Sequence, residues 1–198
     1  MRLLKEHKKA VDCLLPFIRQ GDFYLAGGTA VYYYLRHRES LDLDFFTLKS
    51  VDFTKYQHLF LSHSIFFASS DTIHAEVEGV KVSFFHYPYA MLHPTLPLDI
   101  IQVAHLEDIL CMKVNDIINR GSRKDFVDVY FIIKELHVST KRCVELFTTK
   151  YGRYNPLVIS KAMVYFEDAD KEPELKTLKP VRGKRSKSFL LTGLQSYE

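Results

Sequence analysis

Between residues 3 and 18 the apolar positions Leu4, Val11, Leu14, Leu15 and Ile18 recur at helical spacing, and Gly21-Asp22 breaks the run, so the pattern predicts one amphipathic helix. Phe23-Tyr24-Leu25-Ala26 then reads as a short strand that runs into Gly27-Gly28-Thr29, after which residues 30–35 read as an apolar helix. Residues 41–46 alternate with period two, which places Leu41, Leu43 and Phe45 on one face of a strand and Asp42 and Asp44 on the other. A surface helix is expected over 51–61. Strands are expected over 64–70, 72–77 and 80–86, the last two joined at Glu78-Gly79 as a hairpin, with a further strand over 98–103. From Leu106 the period changes, and helices are predicted over 106–119, 122–136, 140–150 and 156–166, punctuated by Gly121, Ser139 and Asn155-Pro156. A strand-rich half followed by a helical half predicts the α+β class. The expected division is a small mixed sheet flanked by helices over 1–104, then a helical subdomain with a charged tail over 105–198, with a cleft between them.

The chain has 198 residues, 47% hydrophobic and 26% charged, enough apolar material for a sizeable core and too short for multidomain machinery. Its net charge of +3 permits an anionic partner without demanding one. Cys13, Cys111 and Cys143 form no C-x-x-C pair and sit among apolar neighbours, which supports neither a disulfide framework nor a zinc site. Charges at Lys5, Glu6, Lys8 and Lys9 interrupt the start where a signal peptide needs an apolar run. No apolar segment reaches the ~18–20 residues of a membrane span, so the expected home is the cytoplasm. No internal repeat is visible, which excludes solenoids and propellers. Towards the end Glu167, Asp168, Asp170, Glu172 and Glu174 form an acidic block, followed by Lys176, Lys179, Arg182, Lys184, Arg185 and Lys187. Such a run reads first as a solvated extension and second as a contact for RNA or phosphate.

The Asp42/Asp44 pair is the most informative chemistry on the chain. Side chains two apart on a strand point the same way, about 6.6 Å apart along it, and two hard carboxylates there suit Mg²⁺ or Mn²⁺. Asp-x-Asp alone is also what an ordinary half-exposed strand shows. The Gly27-Gly28-Thr29 turn adds weight, because glycines at a strand-to-helix turn let backbone N–H groups approach a phosphate chain and Thr29 adds a hydroxyl. A phosphate cradle beside a metal-binding pair describes a nucleotide site. A glycosyltransferase also uses Asp-x-Asp with a metal, and a nuclease could use the carboxylate pair, but neither accounts for the glycine turn. The histidines show no ligand spacing and read as surface or packed residues.

The run AGGTAVYYYLRHRESLDLDFF, residues 26–46, resembles the signature of the nucleotidyltransferase fold as it occurs in the AbiEii/AbiGii toxin family. LEDILCMKVNDIINRGSRKDFVDVYFIIKEL, residues 106–136, resembles the family's lysine-bearing helix and its Arg-Lys-Asp-Phe-x-Asp segment; NPLVISKAMVYFEDAD and EPELKTLKP are similar to small members as well. The resemblance implies a DNA polymerase beta-like fold with a small mixed sheet and a helical C-terminal subdomain. By it Asp42 and Asp44 hold catalytic metal, Lys113 contacts the nucleotide phosphates, and Asp125 is a second essential acid. Gly27, Gly28 and Thr29 cradle the nucleotide together with Arg38 and Ser40, which match the family's Arg-x-Ser. Read from the residues alone, Lys113, Asp116 and Arg120 form a solvated polar stripe, Ser122-x-x-Asp125 a capping box, and Arg38 either a carboxylate partner or a phosphate contact. The implied reaction moves NMP from an NTP to an acceptor hydroxyl, such as that of a tRNA or other RNA, in a toxin countered by a cognate antitoxin. The family's relatives often carry a third carboxylate on the neighbouring strand, where this chain has Ser83. A catalytically degenerate nucleotide- or RNA-binding protein of the same fold is the alternative.

Overall fold

The computed structural model describes residues 1–60, 62–152 and 154–180, so the basic positions Arg182, Lys184, Arg185 and Lys187 lie outside the described residues. The chain divides into two compact units. The first comprises Met1–Ala30, Ser40–Ala90 and Pro94–His105, and the second Val31–Glu39, Met91–His93 and the chain from Leu106 onward.

The first unit is built on a seven-stranded mixed sheet of order β3-β4-β5-β2-β1-β7-β6. The strands are β1 (Tyr24–Ala26), β2 (Leu43–Thr47), β3 (Ser64–Ala68), β4 (Thr72–Val77), β5 (Val80–His86), β6 (Leu96–Leu98) and β7 (Ile101–Val103). β2 runs antiparallel to β1 and parallel to β5, and β7 runs parallel to β1. Helix α1 (Lys5–Gln20) buries Val11, Leu14, Phe17 and Ile18. The Phe17 ring lies 5.1 Å from Phe23 and 5.0 Å from Phe84, so α1 covers the face that also carries Leu43, Phe45, Ile73 and Val82. A 3-10 helix, Phe53–Phe60, seals the same face through Phe53 and Phe60. The alternation in β2 is as the sequence indicates, with Leu43, Phe45 and Thr47 buried and Asp44 and Phe46 half-buried on the reverse face.

The fold departs from the sequence reading at three places, two of them for evident physical reasons. Leu41 is exposed rather than on the buried face, because the strand starts only at Leu43 and the Leu41 carbonyl is engaged by the His7 imidazole at 3.0 Å. The single strand expected over 98–103 is a hairpin, β6 to β7, turning at Asp99 with φ of 53°; Pro97 is tolerated because β6 is an edge strand. The helix expected over 51–61 is wound as a 3-10 helix.

The second unit is helical, with α3 (Leu106–Asn119) packed on α4 (Arg123–Leu136) and α5 (Thr140–Tyr151), followed by α6 (Pro156–Ala162) and α7 (Glu167–Lys171). Helix α2 (Gly27–Leu35) starts in the first unit and ends in the second. Asn155 caps α6 by accepting from the Leu157 N–H at 2.9 Å, with Pro156 in the first turn. The helix expected over 156–166 stops at Ala162, where N–H groups of Val164 and Tyr165 reach back only three residues. Most of the acidic block then forms the short α7 and its cap. The core joins Ile109, Leu110, Val114 and Ile117 of α3 to Val129, Ile132 and Ile133 of α4. The thiols of Cys111 and Cys143 are buried there, and burial pushes Cys143 up to about 12, so both behave as apolar packing groups.

Candidate functional site

Each unit carries its own cluster of polar groups. In the first, β1 ends at Ala26, paired with Asp44, and the next residue, Gly27, starts α2 at φ +68°. A Cβ at Gly27 would lie 2.6 Å from Asp44 Oδ2, so glycine is required here both for its backbone angle and for the closeness of the carboxylate. Gly28 is buried in the first turn of α2. Thr29 is fully buried, and its Oγ1 lies 2.5 Å from the Asp42 carbonyl and 2.9 Å from Ser40 Oγ. A hydroxyl has one proton, so Thr29 donates to the carbonyl and accepts from Ser40. These two residues therefore fasten the start of the carboxylate segment to the helix that begins at the glycine turn. Asp42 is exposed just ahead of β2 and Asp44 is half-buried within it. Two hard oxygen donors at alternate positions, one approached by a backbone with no Cβ, fit a small divalent cation.

The row continues across the sheet. Ser83 of β5 is the register partner of Asp44, and His74 of β4 is the register partner of Ser83, so the three side chains share one face of adjacent strands. His74 Nδ1 lies 2.9 Å from Ser83 Oγ. No third carboxylate stands beside Asp44 on β5.

The second unit holds an ion cluster in its core. Lys113 Nζ of α3 lies 2.9 Å from Asp125 Oδ1, 3.2 Å from Asp128 Oδ2 and 3.5 Å from Asp116 Oδ2. Arg38 grips Asp128 in a fork, Nε at 2.7 Å and Nη2 at 2.8 Å, and His37 Nε2 lies 2.7 Å from the same carboxylate. Because His37 Nδ1 has no hydrogen-bond partner among the described residues, the proton is assigned to Nε2 and donated to Asp128. Arg120 binds Asp125 through Nε at 2.8 Å and Nη2 at 2.9 Å, and Ser122 Oγ donates to it at 2.6 Å. Three cations, Lys113, Arg38 and Arg120, thus balance three carboxylates. Burial alone would raise the Asp125 carboxyl, but the Arg120 hydrogen bonds and the Lys113 charge outweigh it and bring it down to about 2. Asp128 is depressed further, with burial again overruled by Lys113, His37 and Arg38. Burial disfavours the Lys113 cation, yet Asp128 and Asp125 raise its pKa well above the usual lysine range.

Several readings change with this geometry. Lys113 is not on a solvated stripe but buried, with only 4% of its side chain exposed. Arg38 is a carboxylate partner. The Ser122-x-x-Asp125 capping box does not form, since the Ser122 side chain makes no cap and donates instead to the Asp125 carboxylate, already held by Arg120 and Lys113. Asp128 and His37 were missed. Asp128 stands one turn after Asp125 within Arg-Lys-Asp-Phe-x-Asp, but its partners Arg38 and His37 are 90 and 91 residues away. The segment after α7 joins the cluster, because Thr177 bridges to Arg38 and the Leu178 N–H donates to the His37 carbonyl at 2.8 Å.

Two crystal structures share this architecture across nearly all of the chain. One, of a nucleotidyltransferase candidate from H. pylori, aligns at TM-score 0.59 with 15% identity, covering 98% of this chain and 95% of that one. JHP933 from Helicobacter pylori aligns at 0.52 with 16% identity, covering 96% and 89%. The mixed sheet with its flanking helices is the nucleotidyltransferase fold. Residues 63–188 match the family described as nucleotidyl transferase AbiEii toxin, type IV toxin-antitoxin system, and the chain belongs to that family. An uncharacterized protein of Aquifex aeolicus (strain VF5) is 36% identical over 181 residues, 86% of each chain.

Proposed function

We propose that this nucleotidyltransferase transfers NMP from an NTP to the hydroxyl of an RNA acceptor such as tRNA, and that it is the toxin of a cytoplasmic pair restrained by a cognate antitoxin. The observation that carries the reading is the Gly27–Asp44 approach, which puts a carboxylate against the N-terminus of α2 with Asp42 two residues away. Mg²⁺ or Mn²⁺ held by Asp42 and Asp44 would supply the Lewis acid that neutralises the triphosphate. Gly27 and Gly28 leave backbone N–H groups approachable by phosphate, while Thr29 and Ser40 fix the carboxylate segment. The acceptor oxygen attacks the α-phosphate and pyrophosphate departs. In the second unit Asp116, Asp125 and Asp128 close around the Lys113 ammonium, and Arg38 holds Asp128.

The test is incubation with Mg²⁺, each α-labelled NTP and total tRNA. Label passes to RNA with wild type and falls at least ~10²-fold with Asp42→Ala/Asp44→Ala. Equal labelling by that variant overturns the assignment. The second reading, a nucleotide-binding protein without turnover, is favoured by Ser83 standing where a third carboxylate would be. It predicts carboxylate-dependent NTP binding with no transfer.

A further inference from the structure

We propose that Ser83 and His74 form a proton-accepting dyad for the transfer reaction, with Ser83 contacting the acceptor hydroxyl and His74 receiving the proton through it. The proposal rests on the nucleotidyl-transfer reading and assigns residues that reading does not use. Ser83 is directly beside Asp44 in the parallel β2/β5 register, on strands about 4.8 Å apart, so whatever Asp44 holds is within reach of the Ser83 hydroxyl. Behind Ser83, on the side away from Asp44, stands His74, its Nδ1 at 2.9 Å from the hydroxyl oxygen. Asp44, serine and imidazole thus lie in one line across three strands. A hydroxyl at hydrogen-bond distance from an imidazole is the arrangement that makes an oxygen able to pass on its proton.

The groups around His74 leave its ring in place and available. The Phe67 and Phe85 rings flank it at 5.8 and 5.4 Å and fix its plane. The charged groups on the same face of β4 and β5 are Glu76 and Lys81, a directly opposed pair of opposite sign. The neighbouring positions of β3 on that face are Ser64 and Phe67, and the 3-10 helix seals the other face through Phe53 and Phe60. Asp125 and Asp128 are each bound to cations and held far below the usual carboxylate range, so neither is fit to take a proton near neutrality. An imidazole is the side chain suited to that task. The balance is complete. As the acceptor oxygen bonds to the α-phosphorus, its proton moves to Ser83 Oγ while the serine proton moves to His74 Nδ1. The bond from the α-phosphorus to the bridging oxygen breaks, pyrophosphate carries away the electron pair, and the imidazolium then gives a single proton to water and returns to the neutral Nε2–H form, with Nδ1 again accepting from Ser83, which keeps the proton it took from the acceptor.

The experiment compares wild type, His74→Gln, Ser83→Ala and Ser83→Asp/His74→Gln in transfer from α-labelled NTP to total tRNA across pH 5 to 9, with metal-dependent NTP binding measured in parallel. The expected result is an acid limb in the wild-type kcat profile that His74→Gln removes, with kcat down about 10²-fold and NTP binding unchanged. Ser83→Asp/His74→Gln recovers rate, with its limb moved into the carboxylate range. Nitrogen-detected NMR of wild type places the His74 proton on Nε2, and Ser83→Ala perturbs that ring. Wild-type kcat and pH profile in both single variants, with transfer otherwise normal, overturn the dyad alone. No transfer by wild type at any pH overturns the dyad together with the reading it rests on.

Discussion

Single residues decide what the glycine turn can do. Gly27 combines a left-handed backbone with a carboxylate where its Cβ would be, so Gly27→Ala is expected to cost roughly 1–3 kcal/mol and to displace Asp44. Urea unfolding measures the first effect, and weakened metal-dependent NTP binding the second; a stable variant with unchanged binding refutes the strain. The glycine turn and the alternation that puts Asp44 opposite the buried face of β2 were legible because alternation and turn chemistry are local. Lys113 was misread as solvated because charges at i, i+3 and i+7 look the same whether they face water or carboxylates of another helix. His37 and Asp128 were illegible for a related reason: each is defined by the other, and nothing near either residue points to a partner 91 positions away.

At the scale of elements, punctuation carried most of the information. The β4–β5 hairpin follows from Glu78-Gly79, whose φ values of 52° and 76° are those of a tight turn with both central residues left-handed. Glu78 is the poorer choice there, so Glu78→Asn is expected to stabilise the protein by roughly 0.5–1 kcal/mol, read as a rise in the urea midpoint at unchanged slope. Boundaries failed where tertiary contacts decide. His7 takes the Leu41 carbonyl and shortens β2, and Asp99 folds one anticipated strand back into two. The ends of α1 moved by two residues each, since the side-chain period does not mark where the backbone stops.

For the molecule as a whole, the α+β class and the order of strands before helices were visible in the change of period. The sheet order was not, because β2 pairs with β1 and β5 at once and β7 returns to β1. The ion cluster sets an expectation for acid stability. Asp125 and Asp128 are depressed in the folded state, so their contribution is fully present above the ordinary carboxylate value near ~3.9 and is lost as pH falls through their folded values, about 2 for Asp125. Urea midpoints should therefore fall steeply between about pH 4 and pH 2. An Asp125→Asn/Asp128→Asn variant, less stable at neutrality, should show a flatter fall over that window; the same slope as wild type would refute the assignment.

The helical unit borrows Val31–Glu39 from early in the chain, and Arg38 meets Asp128 only across 90 residues. A ribosome adding roughly 5–20 residues per second leaves this arginine waiting about 5–20 s for its carboxylate to be synthesised. Throughout that interval the nascent chain can assemble strands of the sheet while the lysine cage is still missing its far wall. The order of translation thus separates in time two clusters that the finished protein holds together on one polypeptide.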